Sequence, residues 1–234
     1  LNVPLPSEEG VETFSRRPWW SRASEVLGLL LLWVALDWPA GPLGTGYLAW
    51  VHAVQFVLLA MLVPSLLLVG LGPAAHRRIA RWRHTPRLWI TRPTVALPLY
   101  AGVMIATHLP PVADRLMASA IGAFALDMSW LLSGLAFVWP LLLTSSDARP
   151  LSPLLRIGYV ALGTIAHVFI GMWFLVADYP LFATYELAPP FGTLTPRMDQ
   201  QLAGGVMLLL GTPLVVFALG LQFRALGTED EHGP

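Results

Sequence analysis

Few side chains in this chain could do chemistry, and they are unevenly placed. His52, His108 and His167 fall inside long apolar stretches, as does one acid, Asp127, followed directly by Met128. Met104, Met117, Met172, Met198 and Met207 belong to the same half of those stretches as His52 and His108, and Met61 lies nearer their middle. Imidazole and thioether together favour copper, and thioethers favour Cu(I) in particular. Methionine is also ordinary filler in apolar helices, so the clustering matters more than any single residue. Cysteine is absent, which removes thiolate transfer and disulfide exchange. An acid inside an apolar helix is expensive and usually faces a partner or a cavity, so Asp127 is expected to be buried and hydrogen-bonded to another helix. His76 and His84 sit among arginines and His232 in the tail; these read as ordinary surface residues. Haem is disfavoured. His52 and His108 lie at comparable depth, but no single helix repeats a histidine pair as a two-haem bundle would.

The elements that position these residues are membrane helices. Of 234 residues 56% are hydrophobic and 12% charged, about half the charge of an ordinary soluble domain, and mean hydropathy is +0.63. A hydrocarbon core of about 30 Å needs roughly 20 apolar residues per helix. Six segments approach that length, near residues 23–38, 47–72, 94–110, 117–143, 154–178 and 200–223. The expectation is an all-α, polytopic bundle of about six transmembrane helices. Residues 1–22 form a polar amino-terminal segment, 23–223 the helical domain and 224–234 an acidic tail. Residues 1–19 lack the short apolar core of a signal peptide. Pro64 and Pro98 fall inside helices, where kinks are tolerated if neighbours satisfy the freed carbonyls. Gly158, Gly163, Gly204, Gly205 and Gly211 suit close helix contacts.

Arginine placement sets the orientation. All fourteen basic residues are arginine, which suggests a bacterial source. If the helices alternate, twelve lie on one side, six of them between Arg77 and Arg92, and only Arg115 and Arg197 on the other. This imbalance places both termini in the cytoplasm, with loops 39–46, 111–116 and 179–199 outside, in a bacterial inner membrane. The methionine-rich half is then the outer half, and His52 lies about 7 Å below the outer ends at 1.5 Å per residue. Net charge is zero, so nothing points to nucleic acid; the partners implied are membrane lipid and other membrane proteins.

Three stretches carry a resemblance. Residues 47–73 read YLAWVHAVQFVLLAMLVPSLLLVGLGP, residues 126–142 LDMSWLLSGLAFVWPLL, and residues 197–211 RMDQQLAGGVMLLLG. They resemble the CtaG-type integral membrane proteins associated with cytochrome c oxidase assembly, over nearly the whole of residues 24–223. The first matches that family's H-x-x-Q-H helix with its proline and G-x-P ending. The second is similar to its A/S-G-L-x-F-x-W-P run, and the third to its D-Q-Q-L-x-G-x-x-M pattern. The matching positions are His52, Gln55, Asp199, Gln200, Gln201 and Met207. The chain departs from the pattern at Phe56, where the family has the second histidine, and at Met128 beside Asp127, where a histidine is expected. Family members often have a seventh helix.

The resemblance implies a role in maturing a haem–copper oxidase by handling copper, without chemical conversion of a substrate, so not as an enzyme. In that case His52 is the first Cu(I) ligand, with Met128 and either His108 or Met172 nearby. The replaced histidines support an alternative, a divergent structural subunit of a respiratory or photosynthetic complex. A haem-binding electron carrier is the third reading.

Overall fold

The computed structural model describes residues 19–71, 75, 86–142 and 151–211. Among these it is all-helical, with one isolated bridge between Phe191 and Leu194. We name the helices in chain order: α1 (Trp19–Leu36), α2 (Ala40–Gly44), α3 (Ala49–Gly70), α4 (Pro93–Thr107), α5 (Pro110–Met117), α6 (Ala120–Leu142), α7 (Pro153–Val176), α8 (Ala183–Glu186) and α9 (Pro196–Val206). A π turn, Met207–Gly211, continues α9.

Four helices, α1, α3, α6 and α7, are long and apolar enough to cross a membrane, and five if the bent pair α4 and α5 counts as one span. The sixth expected span begins in α9, and its remainder lies outside the described residues, as do His76, His84, His232 and most of the arginines on the richer side. Large apolar side chains cover the outside of the bundle, among them Ile121 at 84% exposure and Phe169 at 72%. Such a surface suits lipid and not water.

The 111–116 stretch is helical and not a simple loop. Leu109 is extended, as a residue before proline tends to be. Pro110 and Pro111 then start a new helix, where a missing N–H costs nothing. The chain therefore turns by 77° between α4 and α5, and α5 lies across one end of the bundle.

Helices α3, α6, α4, α7 and α9 contact one another in a closed ring, and α1 packs on the Val63–Gly70 half of α3. The Ser21 hydroxyl donates to Gly70 O at 2.9 Å, tying α1 to that end. Pro64 perturbs α3 as a proline must: a π turn, Leu58–Leu62, precedes it, and the Ser65 hydroxyl donates to Met61 O at 2.7 Å. Gly134 of α6 lies against the Ala60 carbonyl at this widened turn, so the two backbones touch. Between α7 and α9 a Cβ on Gly204 would lie 2.5 Å from Gly171 O. Of the other glycines expected at contacts, Gly163 meets Phe137 and Gly211 meets His167, whereas among the described residues nothing comes within 4 Å of a Cβ on Gly158 or Gly205. The ring closes over Phe56, Met104, Trp130, Met207 and His167, all at most 1% exposed.

Candidate functional site

The D-Q-Q run at the start of α9 binds helix ends together. Thr195 caps α9, accepting from Met198 N at 3.3 Å. Asp199 then accepts from Ala49 N at 2.7 Å and Trp50 N at 3.0 Å. These are the first amides of α3, which have no partner within their own helix, and a carboxylate there also meets the positive end of the helix dipole. Gln200 accepts from Leu181 N at 2.7 Å and donates to Tyr179 O at 3.3 Å. Gln201 donates to Leu175 O at 3.2 Å, near the end of α7. Asp199, Gln200 and Gln201 thus join α3, α7 and the segment leading to α8 at one end of the bundle.

That end holds a cavity of about 30 Å³, bordered by His52, His108, Met117, Trp130, Tyr185 and Met207 among others. Such a volume accommodates a water molecule or an ion and is far smaller than a tetrapyrrole. The cavity walls are mostly apolar, but both histidines are held by specific hydrogen bonds. His108 caps α4, and its Nδ1 lies 2.8 Å from Met104 O. A carbonyl only accepts, so Nδ1 carries the proton and Nε2 keeps its lone pair. His52 Nδ1 lies 3.2 Å from Gln55 Oε1. Gln55 uses its amide to donate to Asp127 Oδ2 at 3.0 Å, which leaves its carbonyl to accept from His52. The chain Asp127–Gln55–His52 therefore also reserves Nε2 as the free nitrogen. A partner on one ring nitrogen that frees the other is the usual arrangement behind a ligating imidazole. Gln55 has room for this because Gly44 is small: a Cβ there would stand 2.6 Å from Oε1.

The Trp130 ring contacts both imidazoles, with ring centroids 4.9 Å from His52 and 5.7 Å from His108. Its indole donates to Thr107 at 2.8 Å, which fixes its rotamer. Phe56 packs at 4.7 Å from His108 and 5.1 Å from Trp130. The position where the family pattern has a second histidine is therefore an apolar wall beside His108. From the other side Tyr185 donates to Gly44 O at 2.9 Å and touches Met117 Sδ at 3.4 Å. Asp114 holds α8 in place by accepting from Ala183 N at 3.1 Å and Thr184 N at 3.0 Å. Burial pushes the Tyr185 phenol well above its ordinary range, so it stays a neutral donor.

His52 and His108 thus border one cavity, together with the Met117 and Met207 side chains. Met128 and Met172 are not at the cavity. Met172 is 45% exposed and Met128 half-buried. Each stands two residues from a bordering side chain, Phe174 and Trp130 respectively, and two residues are about 200° around a helix. The sequence did not point to Met117 at this cavity because the 77° bend that swings α5 across the bundle end is invisible to hydropathy; the Pro110-Pro111 pair was its only signal. Among the described residues no three His, Asp or Glu side chains converge on one point, so an ion here would complete its ligands with sulfur.

A helical membrane bundle with a closed polar cluster at one end is the class that this fold and site define. The chain belongs to the cytochrome c oxidase caa3 assembly factor family, which it matches over residues 9–227. No curated protein and no solved structure matches it.

Proposed function

We propose that this protein takes up Cu(I) at the His52 end of the bundle and passes it on during maturation of a haem–copper oxidase. That end would face the periplasm of a bacterial inner membrane, with both termini cytoplasmic, as the arginine distribution indicates. The observation that carries the reading is the pair of imidazoles, each with Nδ1 engaged, that borders one cavity with the Met117 thioether. Two neutral nitrogens and a sulfur form a soft, uncharged donor set. It suits a monovalent cation better than a hard divalent one. Copper is cargo here, held and released by ligand exchange, and no bond of a substrate is made or broken. The membrane-helical character and the oxidase-assembly family support lipid and an oxidase or its precursor as partners.

The test is competition for Cu(I) against a chromophoric chelator in detergent. Wild type should withdraw copper from the chelator, and His52→Ala and His108→Ala should weaken binding by at least about tenfold with helicity unchanged. Equal binding by wild type and both variants would remove the cavity from consideration. The structural-subunit reading draws on Phe56, whose packing needs no metal; stable co-purification with a complex and no copper retention would favour it.

A further inference from the structure

The residues around the cavity are shielded from solvent: all that border it are buried except His52, which is half-buried. Most stand on the spans of the ring, at their ends or on α5, which short links tie to α4 and α6. Phe182 and Tyr185 are different. They belong to the chain between α7 and α9, and of residues 177–195 they alone are buried. Both border the cavity, so what this segment buries is the cover of the site. Its polar ties converge on one side chain. Asp114 of α5 accepts from Ala183 N at 3.1 Å, Thr184 N at 3.0 Å and the Thr184 hydroxyl at 2.8 Å, and none of these bonds is fully buried. Leu181 N donates to Gln200 at 2.7 Å and the Tyr185 hydroxyl to Gly44 O at 2.9 Å. Further along, Phe191 rests edge-on against Tyr47 with ring centroids 6.1 Å apart, and between the two anchorages Leu187 is exposed. A short segment with two buried side chains and partly solvated hydrogen bonds belongs to the low-stability end of a structure, which opens before packed helices do. Tyr185 also stands over two of the donors: its ring centroid is 6.0 Å from that of His52, and its hydroxyl is 3.4 Å from Met117 Sδ.

We propose that residues 181–186 form a lid on this cavity, latched by Asp114, and that Cu(I) enters and leaves when the lid lifts. The inference rests on the copper reading of the cavity and adds to it the way in. Lifting breaks the hydrogen bonds to Asp114 and withdraws Tyr185 from His52 and Met117 together, so both donors are uncovered in one movement. No covalent bond changes, and copper only exchanges neutral ligands. A latch on the route speeds or slows passage equally in both directions and leaves the affinity unaltered, whereas a ligand sets the affinity.

Two measurements on the full chain in detergent test this. Stopped-flow transfer of Cu(I) from and to a chromophoric chelator reads the uptake and release rates, and amide hydrogen exchange reads the lid without copper. One hydrogen bond of ordinary net worth shifts an opening equilibrium about fivefold. Asp114→Ala, which removes three, should therefore speed uptake and release alike by at least about tenfold, with the equilibrium Kd within about twofold of wild type. Thr184→Ala, which removes only the hydroxyl tie, should speed both by about fivefold and guards against a folding defect in the first variant. Exchange should quicken at the Leu181 and Glu186 amides, whose own acceptors, Gln200 and Phe182 O, neither substitution touches. Unchanged exchange at both amides would show that Asp114 is no latch and overturn the proposal. Faster exchange with unchanged transfer rates would equally overturn it, because the segment would open without admitting copper. Weaker affinity with uptake no faster would make Asp114 a support of the site and end the lid reading. No Cu(I) bound by wild type at equilibrium would remove the copper reading itself, and the lid's role with it.

Discussion

Asp127 offers the sharpest test of the polar cluster, because two substitutions at one position separate hydrogen bonding from packing. Its carboxylate accepts from the amide of Gln55, which is fully buried. Asp127→Leu strands that amide, and an unsatisfied buried donor costs about 1–3 kcal/mol. Asp127→Asn keeps an acceptor oxygen where the carboxylate was. It should lose no more than about 1 kcal/mol, the usual worth of an interhelical hydrogen bond in a membrane bundle. The expected gap between the two is thus about 2 kcal/mol, up to a factor of about 30 in the unfolding equilibrium. Dodecyl sulfate titration in mixed micelles, followed by tryptophan fluorescence, measures it, since Trp130 is 1% exposed in the core. The leucine variant should unfold at the lowest detergent fraction and the asparagine variant close to wild type. Leucine should also weaken Cu(I) binding by about 10–100-fold, because Gln55 would no longer hold the His52 tautomer. If Asp127→Leu is as stable as Asp127→Asn, the Gln55 bond contributes nothing and the relay to His52 is wrong.

Other expectations follow from the same geometry. Asp199→Ala removes the cap on α3 and should destabilise the fold by about 2 kcal/mol, read in the same titration. Gly204→Val should push α7 and α9 apart and reduce folded yield sharply, seen as loss of the monodisperse peak on gel filtration, because the Gly171 carbonyl occupies the space. Met117→Leu should weaken Cu(I) binding in chelator competition, whereas Met172→Leu and Met128→Leu should leave it within about twofold, a small change against the tenfold loss expected for a ligand. In this cysteine-free chain, single cysteines at Ala80 and Leu187 should label from opposite faces of intact cells; equal labelling of both would contradict the proposed orientation.

Much of this architecture was legible in the sequence because lipid imposes a simple constraint on composition and length. The spans now seen as α3, α6 and α7 follow the apolar stretches within a few residues at each end. The partnership of Asp127 with another helix follows from the cost of an acid in hydrocarbon. The convergence of His52 and His108 was only half legible: their depth could be counted, but not that α3 and α4 would turn them toward one space. The methionines show the limit most clearly. The resemblance, together with depth, put Met128 and Met172 near His52, yet neither borders the cavity, which Met117 reaches through a bend of the backbone. The roles of Asp199, Gln200 and Gln201 were hidden for a related reason. Their partners are backbone groups 19 to 150 residues away, and a backbone amide has no signature in sequence.

The central claim is that two imidazoles and one thioether hold a single Cu(I) at the His52 end. X-ray absorption at the copper edge, on protein loaded with less than one equivalent of Cu(I), measures that donor set directly. The account predicts a Cu(I) edge with two nitrogen scatterers showing the outer-shell pattern of imidazole and one sulfur scatterer. The sulfur signal should disappear in Met117→Leu and one imidazole in His108→Ala. A spectrum with no imidazole scattering, or one unchanged in both variants, would contradict it.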